Sequence, residues 1–150
     1  MGRYTYVEHV EASPEAVFDL WTNLDRMGEW VRGVTKVTDV TGPLDVAGTR
    51  YTTWFGNMSS VTEIVDVERP RRYAGRFGNR MLAGTNSTTF EPDGSGTRLT
   101  QTFVTRGFIP GVMGWIFGHG SYPGSFRGEL RVFVRLAEAE AAAASKATAT

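Results

Sequence analysis

Between Val34 and Arg106 the chain repeats one unit, a strand-length run of alternating apolar and polar residues closed by turn formers. Val34–Thr41 runs into Gly42-Pro43, Gly48–Phe55 into Gly56-Asn57, Ser60–Val67 into Arg69-Pro70, and Arg72–Phe77 into Gly78-Asn79. Gly84–Phe90 and Thr97–Thr105 flank Pro92-Asp93-Gly94-Ser95-Gly96, whose composition is that of a hairpin turn. Connections this short leave no room for crossover helices, so the strands must run antiparallel in one meander. Tyr4–Val10 also alternates and supplies a seventh strand.

Two other periodicities flank the meander. Ser13-Pro14-Glu15-Ala16 offers an N-cap, a proline suited to the first helical position and an acid near the positive end of the dipole. Val17, Leu20, Trp21 and Leu24 follow at i, i+3, i+4 and i+7, which predicts a short helix with one apolar face. A second short helix is predicted from Asp25 to Val31, ending near Gly33. Towards the C-terminus, Phe126, Leu130, Phe133, Val134 and Ala137 share a helical face, with Arg127, Arg131, Arg135 and Glu138 opposite. An antiparallel sheet cannot cover its own apolar face, and this last helix is the only element long enough to do so. The expected fold is α+β: a seven-stranded curved antiparallel sheet around a long C-terminal helix, with two short helices after strand 1. One domain is expected over residues 1–140. The last fourteen residues contain eight alanines, and residues 141–150 are read as an Ala-rich disordered tail.

Composition narrows the function. A chain of 150 residues can build a core without staples. Sixteen basic and sixteen acidic residues balance, so no global field attracts nucleic acid or an anionic membrane. The absence of cysteine excludes disulfides, thiolate metal sites and a cysteine nucleophile. No run reaches the ~18–20 apolar residues of a membrane span, and Met1-Gly2-Arg3-Tyr4 leads straight into strand sequence without a signal-peptide core. A cytoplasmic protein is expected. No phosphate loop, nucleophile elbow or dinucleotide fingerprint is present. His9 and His119, the two histidines, are far apart and lack metal-ligand spacing. Both are read as surface residues, and neither a metal nor a cofactor is expected.

Alternate residues of a strand share a face. Anchored on the large apolar residues, the inward sets are Tyr51, Thr53, Phe55; Val61, Glu63, Val65; Tyr73, Gly75, Phe77; Asn86, Thr88, Phe90; and Leu99, Gln101, Phe103. Each mixes bulky side chains with small or polar ones, except the second, where Glu63 sits between two valines. A solid core would favour unbroken Val, Ile and Leu, whereas this mixture suits a lined cavity.

Several segments, in order, resemble the SRPBCC (START-like, helix-grip) superfamily. Val10-Glu11-Ala12-Ser13-Pro14-Glu15-Ala16-Val17-Phe18 looks like its strand-to-helix opening, and Leu24-Asp25-Arg26-Met27-Gly28-Glu29-Trp30 like its second helix. Val46-Ala47-Gly48-Thr49-Arg50-Tyr51 resembles its third-strand entry, and Val67-Glu68-Arg69-Pro70-Arg71-Arg72-Tyr73 the turn into its fifth strand. Phe90-Glu91-Pro92-Asp93-Gly94-Ser95-Gly96-Thr97-Arg98-Leu99-Thr100 is similar to its last hairpin. The polyketide cyclase/dehydrase-like branch is the most similar. The resemblance implies a ligand cavity between sheet and helix; it does not imply a particular reaction.

On these grounds the candidate ligand-binding residues are Trp30, Tyr51, Thr53, Phe55, Glu63, Tyr73, Phe77, Thr88, Phe90, Gln101, Phe103, Met113 and Phe117. Glu63 and Gln101 are the polar members able to hydrogen-bond a ligand, and a buried Glu63 would have a raised pKa. Trp30 either caps the cavity or packs between the second helix and the sheet. Trp54 should point to the convex face. Phe108–Phe117 holds more large apolar residues than one buried face needs and is interrupted by glycine. It reads as a portal, as a homodimer, membrane or carrier-protein contact, or as the kinked start of the long helix. Three functions follow. The first is binding of a hydrophobic small molecule, a lipid or polyketide-like metabolite. The second is a polyketide cyclase, aromatase or dehydratase using the same cavity. The third is a co-chaperone-like protein-interaction module.

Overall fold

The computed structural model describes residues 2–79, 82–107 and 126–148. Strands β1 (Gly2–Val10), β2 (Lys36–Thr38), β3 (Arg50–Phe55), β4 (Met58–Glu68), β5 (Arg72–Gly78), β6 (Leu82–Asp93) and β7 (Gly96–Gly107) form one antiparallel sheet. Their order is β1-β7-β6-β5-β4-β3-β2, a meander with the first strand returned beside the last. Helix α1 (Pro14–Trp21), a 3-10 helix (Leu24–Glu29) and helix α2 (Phe126–Thr148) complete the described elements. Among the described residues no helix is long and apolar enough to cross a membrane.

Local chemistry accounts for the element boundaries. The β3–β4 and β6–β7 hairpins turn on two residues each, with Gly56 at φ 66° and Gly94 at φ 61°, conformations that cost glycine least. Ser13 Oγ accepts from the Ala16 amide at 3.2 Å and caps α1, while Pro14 occupies its first position. Val17, Phe18 and Leu20 are the residues that α1 buries.

Helix α2 lies on the sheet through Leu130, Phe133 and Ala137. The Phe133 ring meets Trp21 edge-on at 4.9 Å and Trp30 at 5.1 Å, and those two indoles stack at 6.4 Å. Phe90 adds edge contacts to Phe18 at 5.4 Å and Trp21 at 6.2 Å. Polar contacts hold the far half of α2. Glu138 Oε2 accepts from the Glu11 amide at 2.9 Å, and Glu140 pairs with Arg26. The helix therefore runs through the alanine-rich segment to Thr148, where the sequence reading placed a disordered tail from 141. Alanine is the strongest helix former, and Ala141 still packs against the core.

One strand departs from simple alternation. Register along β4–β5 shifts between Ile64 and Asp66, so Val65 is an extra residue. N-terminal to this bulge Ile64 faces the core, completely buried, and C-terminal to it Val67 does. Val61 and Val65 are exposed. Trp54 lies on the convex face as expected, its Nε1 donating to Thr38 Oγ1 at 2.9 Å beneath the Lys36 ammonium.

At the β6–β7 end, His9 Nδ1 lies 3.0 Å from Asp93 Oδ2 and its Nε2 bonds Glu11, which also accepts from Ser95 Oγ at 2.8 Å. The hydrogen bond to Glu11, then that to Asp93, lifts the His9 pKa above 6.5, and the same bond to His9 holds Glu11 below 4.5.

Two predictions follow from this packing. Phe133→Ala should cost about 3–5 kcal/mol, read as a lower urea midpoint at unchanged slope. A loss under 1 kcal/mol would show that the ring is not central. For His9, a raised folded pKa means stabilisation that is complete below 6.5 and lost as pH rises through the folded value. For Glu11, a lowered folded pKa means stabilisation that is present above 4.5 and lost as pH falls through the folded value. The melting-temperature gap between the native protein and His9→Gln should peak at about pH 5–6 and close by about pH 9.

Candidate functional site

Away from the Trp21–Phe133 cluster, sheet and helix separate and enclose a cavity of about 650 Å³. Its floor is built by strand register. Tyr73 of β5 and Gln101 of β7 belong to it, each paired with the buried Thr88 of β6 between them, and Gly75, Asn86 and Phe103 form the next row. Gly75 keeps this floor low, since a Cβ there would approach Thr62 Cγ2 to 2.8 Å. Tyr51 and Thr53 of β3 and Ser60 and Thr62 of β4 continue the floor, while Phe126, Glu129 and Leu130 of α2 form the roof. Phe103 and Phe126 meet across the gap with ring centroids 4.1 Å apart. Trp21, Met27, Trp30 and Val31 line one end, and the exposed Phe55 and Met58 stand at the β3–β4 hairpin.

Of the residues singled out from sequence, Trp30, Tyr51, Thr53, Phe55, Tyr73, Phe77, Gln101 and Phe103 all line this cavity. Trp30 does so while also packing on Trp21 and Phe133. Thr88 and Phe90 are buried but do not line the cavity, and Phe90 belongs to the aromatic core. Met113 and Phe117, the whole of 108–117 and His119 lie outside the described residues. Glu63 is corrected. It sits on the convex face, 3.1 Å from Arg76 Nη2 and 4.0 Å from Arg50 Nε. The cause is the Val65 bulge: counting back by twos from the inward Val67 reaches Val65, Glu63 and Val61, one residue out of phase. The true inward set is Ser60, Thr62 and Ile64.

Polar groups are set among the rings: Arg32, Thr53, Ser60, Thr62, Asn79, Asn86, Gln101 and Glu129 line the cavity beside the Tyr51 and Tyr73 hydroxyls. The Tyr51 and Tyr73 hydroxyls share a hydrogen bond at 3.0 Å. Burial pushes both phenols well above their ordinary value, so they stay protonated and can donate. Asn86 Oδ1 and Thr88 Oγ1 are buried without a hydrogen-bond partner. Sequence reasoning missed Glu129. Its Oε1 accepts from the Arg32 amide at 3.1 Å, and burial pushes its pKa up to about 7 against the pull of that bond. The signal was present: Phe126, Glu129 and Phe133 are spaced i, i+3, i+7, which puts a carboxyl within the apolar stripe of α2. No group of His, Asp or Glu among the described residues is arranged to hold a metal ion.

A family model described as polyketide cyclase/dehydrase and lipid transport matches residues 1–145. No curated protein sequence matches the chain. Among solved structures, protein NE0264 from Nitrosomonas europaea is similar with a TM-score of 0.67 at 15% identity, over 92% of this chain and 95% of that one. The Aha1 dimer from Colwellia psychrerythraea gives 0.64 at 14% identity, over 94% and 96%. PFC0360w, an HSP90 activator from Plasmodium falciparum, gives 0.57 at 16% identity, over 75% and 86%. At these identities the likeness is one of fold.

A carboxyl whose pKa rises from 4.5 to about 7 on folding takes up a proton that the unfolded chain has released. Stability on this account falls as pH rises from 4.5, and the loss is complete above about 7. Glu129→Gln keeps the acceptor for the Arg32 amide and removes the titration. It should exceed the native protein by on the order of 2 kcal/mol in urea denaturation at about pH 8 and match it at about pH 4. A difference independent of pH would refute the assignment of the buried charge to Glu129.

Proposed function

The chain belongs to the polyketide cyclase/dehydrase and lipid transport family, and we propose that it binds a hydrophobic small molecule in the cavity between sheet and α2. The observation that carries this reading is the cavity itself: about 650 Å³, lined by eight aromatic side chains and by Met27, Val31, Met58 and Leu130, with polar side chains set among them. That volume lies within the ~300–1,000 Å³ of small-molecule sites. Lipids and polyketide-like metabolites are the ligand classes that the family description and the lining both favour. The cavity also weighs against a purely co-chaperone-like module with a filled core, the reading suggested by the names of the HSP90 activator and Aha1 neighbours.

Catalysis in the same cavity is the second reading, and one observation favours it. A carboxyl poised near neutral pH and a pair of protonated phenols could move a proton and polarise a carbonyl of one bound substrate. Cyclisation or dehydration of a polyketide-like chain needs those groups and a shape that folds the chain.

Native mass spectrometry of gently purified protein should reveal a co-purifying apolar compound. The neutral fluorophore N-phenyl-1-naphthylamine should bind, and Thr53→Phe, which places a ring in the cavity, should weaken it by at least about tenfold while melting stays cooperative. A clean apo mass together with no fluorophore binding would sink the ligand reading.

A further inference from the structure

The cavity's polar groups are mismatched in one direction. Asn86 Oδ1 is an unpaired buried acceptor, and Glu129 is a carboxyl to which a single neutral amide donates. The other ionisable groups among the described lining residues are Arg32, Tyr51 and Tyr73. Arg32 is exposed and meets Glu129 through its backbone N–H, and the two phenols are bonded to each other. Glu29, in the shallow pocket on the other side of Glu129, is engaged by Arg26. No described cation therefore makes an ion pair with Glu129. The cavity it lines also holds rings of the kind that attract cations: Trp21 and Trp30 at one end, Phe126 one helical turn from Glu129, and the tyrosine pair on the floor. A buried acid with no ion-pair partner among the described residues, acted on only at a distance by the exposed Arg32 guanidinium and sharing its cavity with aromatic rings, is complementary to one chemistry.

Resting on the cavity-binding reading, we infer that the ligand carries a protonated amine on its apolar body, with Glu129 as counter-ion and the indole and phenyl faces as the cage. Binding ionises Glu129, because the ammonium supplies the compensation that the empty cavity lacks. Below neutrality the complex therefore expels a proton, and the shallow pocket behind Trp30, Arg32 and Glu129 offers its way to solvent.

Three naphthyl probes of matched size test this by calorimetry: 2-(2-naphthyl)ethylamine, 2-(2-naphthyl)ethanol and 3-(2-naphthyl)propanoic acid. At about pH 8 the amine should bind about tenfold more tightly than the alcohol. Glu129→Gln should bring amine and alcohol within about twofold, and a cooperative urea transition of the variant certifies its fold. At about pH 6 the amine's heat should change with the ionisation enthalpy of the buffer, reporting the expelled proton, and the alcohol's should not. Equal affinity for amine and alcohol would overturn the amine assignment and leave the apolar cavity standing. Tightest binding by the acid would overturn it in favour of Arg32 as the anchor. Binding by none of the three would bring down the cavity reading as well.

Discussion

Everything in this fold depends on where α2 is pinned. Phe133, completely buried and held edge-on by Trp21 and Trp30, fixes one stretch of the helix against the sheet. The fully buried Val10, Val17, Phe90 and Leu99 gather in the same core cluster. Edge-to-face aromatic pairs add about 0.5–1.5 kcal/mol each beyond area burial, so this cluster is the main apolar anchor of the helix, with Glu138 and Glu140 holding its far half. The rest of the helix is then free to stand off the sheet. Phe126 reaches Phe103, but between that contact and the pinned end the space stays open. A protein this small keeps a cavity only by concentrating its packing elsewhere.

How much of this was legible in the sequence follows from which constraints are local. The strands could be read because each ends in its own turn chemistry. Gly56-Asn57 turns the β3–β4 hairpin as the pattern predicts, and the predicted turn Pro92–Gly96 tightens in the structure to Gly94-Ser95. The inward faces of β5, β6 and β7 could be read because their large aromatic residues fall on one side only, and that of β3 because Tyr51 and Phe55 outweigh the single Trp54 opposite. On β4 valines stand on the exposed side and threonine and serine on the inner one, and the Val65 bulge makes strict alternation point the wrong way. A bulge is a property of two paired strands, and no single-strand pattern contains it. The alanine-rich end was misjudged for another reason. An alanine-rich terminus reads as a fraying tail, but Glu138 and Glu140 hold the helix through polar contacts with residues over a hundred positions away.

Glu129 is the instructive omission. Polar candidates were sought on the strands, where alternation gives an explicit inward face, while the helix was treated as a source of apolar cover. Yet the helical spacing that placed Phe126 and Phe133 inward placed Glu129 there too. A charged residue on an otherwise apolar stripe is a local rule broken, and such breaks mark places where folding and function ask for different residues.

That conflict is visible in the energetics. A raised carboxyl pKa means that the folded chain is less stable near neutrality than it would be with a neutral residue at 129. The unpaired Asn86 Oδ1 and Thr88 Oγ1 act in the same direction, since a buried polar atom without a partner costs about 1–3 kcal/mol. At 129 the fold asks only for an acceptor for the Arg32 amide, which a neutral glutamine would supply without the cost of a buried charge. These groups are tolerable because the Phe133 cluster supplies stability at a distance, and on the proposed reading Asn86 and Glu129, which line the cavity, are the groups a ligand would satisfy.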